Sequence, residues 1–559
     1  MRILYKEKNG QGSQKFVPLG KERDGQRLMT SFFKRLMQPQ QDPKLLRQGG
    51  LRDASQPQGT GSRKQARVRL NRDLMENMVK VRALSQNSTD LLERQIEVSG
   101  VPVAILMCEG MVNLQLFTQI LVRPLTELSL ENADGEAVAR WVSRETVLSG
   151  DQKEFFTYDE LFSFLMAGFV VLLIDGVDRG IACGMQGYSF RSVSEPSTEM
   201  NITGSREGFV EPIRVNQTMI RRRLRSPSLK FEMYPIGEKS RTDICLVYLT
   251  DTADPRMVEE VKRRLGKLSS DILLSQGYLR PYLEGQPLSP FSSVGTTERP
   301  DTLCAKINEG RIGILVDGTP FALVVPYLFE EHFQSMDDYS YRPYYGSFIR
   351  LLKYFAFLLS IFLPGGYVAI TSFSPEMLPD SLLFNIAASE QQTPFSMMTE
   401  ALVIHLIYEI MREAGLRLPR PVGHAVSIIG ALVIGDAAVK AGIIGSSMVM
   451  VVALTALSSF VVPSLYEPAA ILKFVFILVG GTWGLFGISV GFVLLLTNLC
   501  ALESLGVPIM APLSPCAPAD LRDGLWRTGW KKLGSFRLRI QDLPGSGWKQ
   551  QEQGEKEDE

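Results

Sequence analysis

The sequence predicts a cytosolic α/β (α+β) domain made of two related subdomains, followed by an all-α polytopic membrane domain of five or six helices. Three observations indicate this division. Charged residues concentrate before residue 350 and long apolar runs follow it; short β-branched runs alternate with amphipathic stretches between residues 73 and 326; and that region contains an internal repeat. The composition of the 559 residues, 45% hydrophobic and 21% charged, excludes a wholly soluble or mainly disordered chain.

The first 72 residues are predicted to form a disordered basic arm. They carry 17 Lys or Arg against five Asp or Glu, in a setting rich in Gln, Gly, Ser and Pro. The arm is either a solvated tail or a segment attracted to an anionic membrane surface, where each Lys or Arg contributes roughly 1 kcal/mol. Nucleic-acid binding is not expected, because few aromatic residues are interleaved and no folded reader accompanies the arm.

Cysteine and histidine usage argues against a disulfide framework and against a metal site. The six cysteines have no paired spacing and the three histidines are dispersed. No cofactor or metal is therefore predicted, and the pattern suits a reducing compartment. The N-terminus lacks the apolar core of a signal peptide, so we expect the first domain to stay in the cytosol.

A repeat with an offset of 142 residues relates two stretches of the soluble half. The ungapped pairs are Glu109 with Asp251, Asp159 with Asp301, Leu161 with Leu303, Gly168 with Gly310, Leu173 with Leu315, and Asp175-Gly176 with Asp317-Gly318. Glycine suits the left-handed end of a helix, and Asp-Gly suits a tight turn. The repeat predicts a first subdomain at 85–195, a linking segment at 196–224 and a second subdomain at 225–327. Chance similarity of two generic strand–turn units is the alternative.

The soluble half shows no catalytic motif. Nucleophile elbows, P-loops, dinucleotide fingerprints and metalloprotease helices are absent from the sequence, so no enzyme is predicted. The run Arg221-Arg222-Arg223 is either a solvated helical face or a clamp for carboxylates between domains or subunits. Glu207 is among the acidic residues upstream that could serve as its partners.

An aromatic and acidic juxtamembrane segment, 328–347, precedes the predicted transmembrane domain, 348–510. Tyr354–Ser374 is 21 residues without a charge, which is long enough to cross about 30 Å of hydrocarbon. Pro364 at its centre predicts a kink. Later apolar stretches predict the other spans, two of them from 469–505 with a break at Gly480-Gly481-Thr482. A cytosolic C-terminal tail, 511–559, follows.

Polar residues inside the predicted spans form two groups, and an unpaired charge there costs at least a few kcal/mol. The first group shares one helix face and consists of Glu400, His405, Glu409 and Arg412. It is interpreted either as internal pairing that stabilises the bundle or as a functional cluster.

The second group lies in a stretch of small residues that permits close helix packing. It comprises Gly435, Asp436, Val439 and Lys440. Asp436 and Lys440 are one helical turn apart and are predicted to pair. With Pro364 they are candidates for pore lining and gating, Val439 as a hydrophobic constriction. A structural ion pair at a helix end is the alternative.

Long motifs in both halves carry a family resemblance. The soluble half contains GSREGFVEPIRVNQTMIRRRLRSPSLKFEMYPIGEKSRTDICLVYL, TTERPD and VDGTPFALVVP. The membrane half contains YEIMREAGLRLPRPVGHAVSIIGALVIGDAAVKAGIIG and ESLGVPIMAPLSP. Over roughly residues 85–544 the chain resembles the A subunits of bacterial spore germination receptors, the GerA family.

The resemblance implies a multi-pass protein of the inner spore membrane whose N-terminal domain faces the spore core. It implies as partners a transporter-like B subunit that senses nutrient and a lipoprotein C subunit. It also implies a homo-oligomeric ring, a pentamer, around an ion-conducting pore in the lipid bilayer. The soluble signature of the family falls on Arg206, Glu207, Phe209, Arg221, Arg222, Arg223, Glu298, Arg299 and Asp301. Asp436 stands where the family pattern has glutamine. An acid there would favour cations if it faces the pore, and neutralisation by Lys440 is the alternative.

Three functions were weighed from these residues. The first is a ligand-controlled ion channel subunit of a germination receptor, and the second is a non-conducting scaffold that transmits the signal. The third, a membrane enzyme or lipid transporter, would need a convergent acid/base or metal constellation that the sequence lacks. Membership of a related subclass associated with the dipicolinate channel stays open.

Overall fold

The computed structural model describes residues 68–130, 133–145, 151–187, 196, 198–199, 201–286, 288–418, 435–517, 521–533 and 538–549. The soluble part consists of two five-stranded antiparallel sheets, each covered by helices on both faces. The strands of the first sheet are β1 (Leu91–Val98), β2 (Val101–Cys108), β3 (Gln152–Phe155), β4 (Phe169–Ile174) and β5 (Gly180–Gly184), in the order β1-β2-β4-β5-β3.

The first sheet is buried on both faces because apolar side chains alternate between two helical layers. One face packs against helices α1 (Leu74–Ser85) and α2 (Tyr158–Leu165). The other packs against short helical segments at Leu114–Leu116, Phe117–Val122, Arg123–Glu127, Gly135–Arg140 and Trp141–Glu145. β4 has six buried residues in a row, the pattern of a strand covered on both sides.

The second sheet has the same strand order as the first, β6-β7-β9-β10-β8. Its strands are β6 (Leu229–Ile236), β7 (Thr242–Leu249), β8 (Gly295–Thr297), β9 (Ile312–Val316) and β10 (Ala322–Val325). Helices α3 (Ile213–Arg223) and α5 (Pro300–Asn308) cover one face. Helix α4 (Pro255–Leu265) covers the other, with turns at Gln276–Tyr278 and Arg280–Leu283 beside it.

Matching contacts recur in the two sheets. The Asp175 carboxylate accepts a hydrogen bond of 3.0 Å from the Leu74 amide at the start of α1, and Asp317 accepts one of 3.0 Å from Ile213 at the start of α3. The glycine after each aspartate has φ near +84°, a conformation that favours glycine. The Asp-Gly pair therefore makes the turn and also holds the first turn of a helix, a role that the sequence analysis had not assigned.

The structure places a core helix inside the segment predicted to be a linker. Helix α3 lies within 196–224, and its residues Met219 and Ile220 pack in the core of the second sheet. Its counterpart α1 ends where the first subdomain was predicted to begin. Helix α3 is amphipathic but polar on average, so its role in the core is weakly marked in the sequence. The predicted domain limits stay predictions.

The helical second half contains fewer clear spans than predicted. Its helices are α6 (Pro343–Phe373), α7 (Asp380–Glu390), α8 (Met397–Arg417), α9 (Gly435–Lys440), α10 (Ser446–Val461) and α11 (Tyr466–Ala501). Within the described residues, two stretches, Pro343–Phe373 and Pro463–Ala501, are long and apolar enough to cross a membrane. The expected five or six spans are not established, because α8 carries several charges and α10 has only 16 residues.

Helix α11 is folded back on itself at Gly484, where φ is +60° and ψ is −150°. A Cβ built on Gly491 would lie 2.7 Å from the ring of Phe476, whereas 15 residues of straight helix would separate the two by roughly 22 Å. The stretch predicted to give two spans is therefore two antiparallel arms. The reversal lies two residues beyond the predicted Gly480-Gly481-Thr482 break.

Helices α6 and α11 approach closely at two glycines. A Cβ on Gly365 would lie 2.4 Å from the Phe476 carbonyl oxygen, and one on Gly480 would lie 2.4 Å from the Gly365 carbonyl oxygen. Pro364 is buried in this bundle, and α6 is assigned as one continuous helix through it. Small residues let the two backbones touch here.

Shorter helical turns join these elements, at Phe329–Phe333, Met336–Ser340, Pro375–Met377 and Pro463–Leu465. After α11 the chain forms a small hairpin, β11 (Glu503–Ser504) with β12 (Val507–Pro508), and turns at Leu521–Asp523, Trp530–Leu533 and Ile540–Asp542. Val507 and Ile540 are buried in the same hydrophobic cluster as β7 and α4. The C-terminal region therefore completes the core of the second sheet.

Candidate functional site

Arg221 joins the two sheets through a buried ion pair. It lies at the end of α3 and is 2% exposed. Its Nε and Nη2 donate to the two carboxylate oxygens of Asp90, at 2.8 and 2.9 Å, and Asp90 directly precedes β1. Nη1 and Nη2 also donate to the carbonyl oxygens of Ser226 and Leu229, each at 2.9 Å. This bidentate geometry is the one that arginine and a carboxylate favour.

The other arginines of the run serve a different contact. Arg223 Nη2 lies 2.5 Å from a Glu207 carboxylate oxygen, and Arg222 lies 3.6 Å from the other oxygen. Arg206 is exposed, whereas Phe209 is buried in the core of the second sheet. Arg221 thus contacts the first sheet, whereas Arg222 and Arg223 contact the segment of chain that precedes α3. The solvated face and the clamp that the sequence offers for this run stay predictions.

Glu298, Arg299 and Asp301 hold residues 198–209 against the second sheet. Arg299 pairs with Asp301 at 2.6 Å and donates to the Ser205 carbonyl oxygen at 2.8 Å. The Phe209 amide donates to the Glu298 carbonyl oxygen at 2.7 Å. Arg299 is 3% exposed and Glu298 is 4% exposed, so these signature residues fix a segment of chain and present little surface.

A cavity of about 1560 Å3 lies between this segment, the second sheet and the loop before α11. Acidic and basic side chains line it together. Lys306 Nζ lies 2.7 Å from Glu331 Oε1, and Arg311 contacts both Glu331 and Glu309. Burial favours the neutral acid, but Arg311 and Lys306 outweigh it and lower the pKa of Glu331.

Glu330 behaves in the opposite way to its neighbour. It is 6% exposed, and its Oε2 has no hydrogen-bond partner among the described residues. Burial, with the nearby Glu331 charge, raises the pKa of Glu330 to about 8. Gly524 lies against this carboxyl group, since a Cβ there would be 2.2 Å from Oε2. Two adjacent acids are thus held in different protonation states at neutral pH.

Charged residues at the start of α6 point inward. Arg350 is 0% exposed, and its Nε lies 3.1 Å from Asp338 while its Nη1 lies 3.0 Å from Asp523. Lys353 Nζ lies 3.3 Å from Asp338 and donates to Ser335 Oγ at 3.0 Å. These two cations tie the juxtamembrane segment and the C-terminal region to α6.

The predicted intramembrane cluster has a member that was not predicted. Glu409 accepts from Lys473 Nζ and from the Tyr466 hydroxyl, both on α11, and Arg412 Nε lies 3.1 Å from it. The Arg412 guanidinium lies 3.8 Å from the centre of the Tyr466 ring. Lys473 is 3% exposed. Lys473 is a single charge in an otherwise apolar stretch, and such a charge indicates that a partner of opposite charge lies nearby. The residue spacing within α8 alone could not indicate this partner.

Glu400 and His405 do not join that ion pair. The Glu400 carboxylate accepts from the Gly445 amide at 2.8 Å, which satisfies a donor at the start of α10. His405 lies 2.9 Å from the Ala401 carbonyl oxygen through Nδ1, and its Nε2 has no partner among the described residues. One part of the cluster therefore holds α10, and the other holds α11.

The pore candidates are only partly described. Gly435, Asp436, Val439 and Lys440 lie in the six-residue helix α9; Val439 is half-buried and Lys440 exposed. The Asp436 side chain and residues 419–434 lie outside the described residues, so the predicted Asp436–Lys440 pair stays a prediction. Within the described ranges, no group of three His, Cys, Asp or Glu could hold a metal ion.

Comparison with known proteins gives a consistent result. The family described as Bacillus/Clostridium GerA spore germination protein matches residues 79–536. The chain is 38% identical to Spore germination protein KA of Bacillus subtilis, covering 84% of this chain and 86% of that protein. It is 34% identical to Spore germination protein GerLA of Bacillus cereus, covering 82% and 93%.

A crystal structure is also similar in sequence. The N-terminal domain of the A subunit of the Bacillus megaterium spore germinant receptor GerK3 is 30% identical, covers 47% of this chain and 98% of that chain, and has a TM-score of 0.38. The family match covers both sheets, the helices of the second half and most of the C-terminal region. The family match over residues 79–536 and the 38% identity to Spore germination protein KA show that the chain belongs to the GerA family of spore germination proteins.

Proposed function

We propose that this chain is the membrane subunit of a nutrient-responsive spore germination receptor, located in the inner spore membrane with its N-terminal domain in the cytosol. In this proposal it forms a homo-oligomeric, pentameric ring around an ion channel that releases ions at the start of germination. It works with a transporter-like B subunit and a lipoprotein C subunit. Membership of the GerA family, with 38% identity to Spore germination protein KA, supports the receptor role.

The observation that carries the channel proposal is the arrangement of polar groups in the helical half. Glu400, His405 and Lys473 are buried, at 1%, 0% and 3% exposure. Apart from Glu467 in the first turn of α11, the large exposed side chains of α10 and α11 are apolar. A bundle with an apolar outer surface and an internal polar face is what ion passage through a membrane requires. Helix α9, with its small residues and Lys440, continues that polar character.

Control of the channel requires that the soluble sheets and the membrane helices move together. The Arg350–Asp338 ion pair is part of such a link, because it joins α6 to the juxtamembrane segment. The same segment pairs through Glu331 with Lys306 and Arg311 of the second subdomain. A ligand that binds one arrangement of the ring more tightly shifts its population. A full switch from a closed to an open majority needs about 5.5 kcal/mol of differential binding.

A non-conducting scaffold is the second candidate, and one observation favours it. Glu409 is fully engaged by Lys473, Tyr466 and Arg412, and Glu400 by the Gly445 amide. A cluster in which each carboxylate is satisfied within one chain holds helices together and leaves no open site for an ion. The two candidates differ in whether the assembled subunit conducts.

Reconstitution of the full chain in potassium-loaded liposomes tests the proposal. A channel subunit gives potassium efflux that Asp436→Asn and Val439→Ala change, because both substitutions alter the proposed pore wall. Lys239→Gln, at an exposed residue of the soluble part, is the control and should leave efflux unchanged. Absence of efflux from a correctly assembled oligomer would instead support the scaffold.

A further inference from the structure

The C-terminal residues 521–533 lie beside the first turns of α6. The Arg527 amide donates to Ser347 Oγ at 3.1 Å, and the Arg527 guanidinium donates to the carbonyl oxygens of Tyr341 and Tyr339 at 2.6 and 2.9 Å. Arg527 is 3% exposed. These bonds, with the Arg350–Asp523 ion pair, fix the segment against the base of the helix.

Two tryptophans of this segment face outward. Trp526 and Trp530 are each 62% exposed. The indole N–H of Trp530 donates to the Tyr339 carbonyl oxygen at 3.1 Å. One side of its ring lies near the Tyr339 ring and the Arg527 guanidinium, 5.9 and 5.8 Å away, and the rest of the ring is on the surface. Indole rings are favoured at the boundary between water and hydrocarbon, where an apolar body and a polar edge are both satisfied.

The level of these tryptophans along α6 matches that boundary. Because Arg350 and Lys353 point inward, the outward face of α6 is apolar from Phe348 onward, and Phe348, Leu351 and Phe355 are each more than half exposed. Ser347, which touches Arg527, is the residue just before this face. The apolar surface thus begins about 10 Å earlier than the charge-free run at Tyr354 suggests.

The charge of the segment complements an anionic surface. Residues 522–539 contain six Lys or Arg and one Asp, and the single acid, Asp523, is paired with Arg350. Lys531 and Arg539 are exposed. Basic residues next to a membrane helix are attracted to anionic lipids by roughly 1 kcal/mol each.

We infer that residues 521–533 form an interfacial lipid-binding element: Trp526 and Trp530 insert at the bilayer surface beside α6, and Lys531 binds the phosphate headgroups of anionic phospholipids. The element rests on α6 spanning the membrane and is independent of ion conduction. It would fix the depth of α6 in the bilayer and make the position of the Arg350 network sensitive to lipid composition.

Quenching of tryptophan fluorescence by brominated lipids tests the inference on the full chain in vesicles. Brominated phosphatidylglycerol should quench Trp526 and Trp530, and the quenched signal should fall in Trp526→Phe/Trp530→Phe. Trp548→Phe is the matched control, because Trp548 is partly buried and donates to the Leu505 carbonyl oxygen at 2.7 Å. Its loss should not reduce the lipid-quenched signal.

Competition between brominated phosphatidylglycerol and brominated phosphatidylcholine then measures headgroup preference. We expect a several-fold preference for the anionic lipid, and Lys531→Gln should weaken it about fivefold, the equivalent of one basic contact. Equal quenching by both lipids would overturn the headgroup assignment. No quenching of these tryptophans would overturn the whole inference and indicate that a protein surface covers them. Ion efflux measured on the same vesicles tests the channel proposal independently, so that a negative lipid result can be told apart from a failure of that proposal.

Discussion

Alanine substitutions at two neighbouring glycines of α6 should have opposite effects on stability. A Cβ at Gly365 would lie 2.4 Å from the carbonyl oxygen of Phe476 and 2.6 Å from its carbonyl carbon, both in the backbone of α11. At Gly366 a Cβ would meet nothing within 4 Å. Both changes replace glycine by alanine inside the same helix, so the gain in helix propensity, up to about 1 kcal/mol, is common to both.

The difference between the two variants therefore isolates the cost of crowding. A carbon and a carbonyl oxygen in contact lie about 3.3 Å apart or more, so Gly365→Ala must push the helices apart by roughly 0.9 Å or distort them. Overpacking of this kind costs about 1–3 kcal/mol. We expect Gly366→Ala to leave the free energy of unfolding unchanged or to raise it slightly. The free energy of unfolding of Gly365→Ala should be about 1–3 kcal/mol lower than that of Gly366→Ala.

Unfolding in mixed detergent micelles, followed through the fluorescence of Trp483 near the fold of α11, measures this difference. Gly480→Ala is the reciprocal test, because its Cβ would lie 2.4 Å from the Gly365 carbonyl oxygen. Equal free energies of unfolding for Gly365→Ala and Gly366→Ala would refute the close approach of α6 and α11.

Three further predictions concern the buried charges. Arg221→Met leaves Asp90 buried without its charged partner and should lower the local free energy of opening by about 3–5 kcal/mol. The change is measured as faster hydrogen exchange of the Glu109 amide, which donates to the Asp90 carbonyl oxygen. The control, Arg225→Met at an exposed residue, should change the same free energy by less than about 0.5 kcal/mol. The pKa of Glu330 is raised from 4.5 to about 8. The contribution of its neutral carboxyl group to the free energy of unfolding is therefore fully present below pH 4.5 and is lost as the pH rises to 8. The advantage of Glu330→Gln over the wild type in denaturant unfolding should therefore grow with pH, on the order of 3–5 kcal/mol in total, and a constant difference would contradict the assignment. Arg350→Met should release residues 521–533 to limited proteolysis, whereas the exposed Arg342→Met should not.

The repeated elements of the soluble part were the most predictable from sequence. Gly168 and Gly310 both have φ near +90°, as their predicted positions at the ends of helices require. Local rules suffice for such positions, because each turn needs only its own residues. The role of helix α3 was harder to predict. Its composition is polar on average, and its place in the core depends on packing against the distant strand β7.

Partners across the bundle could not be predicted, because they come from segments far apart in the chain. Glu409 was expected to neutralise Arg412 and His405 on its own helix, which local spacing allows. Arg412 does contact Glu409, but Lys473, 64 residues later, is a further partner of that carboxylate, and His405 turns to the Ala401 carbonyl oxygen. The inward direction of Arg350 was likewise hidden, because a cation before an apolar run usually stays in water.

The packing of the C-terminal region on the second sheet sets the parity of membrane crossings. Val507 and Ile540, beyond the last apolar helix, share one hydrophobic cluster with β7, which precedes the first. If segments before the first apolar helix and after the last one pack together, both lie on the same side of a bilayer, and the chain between them crosses it an even number of times. If the chain spans a membrane, the number of crossings is therefore even.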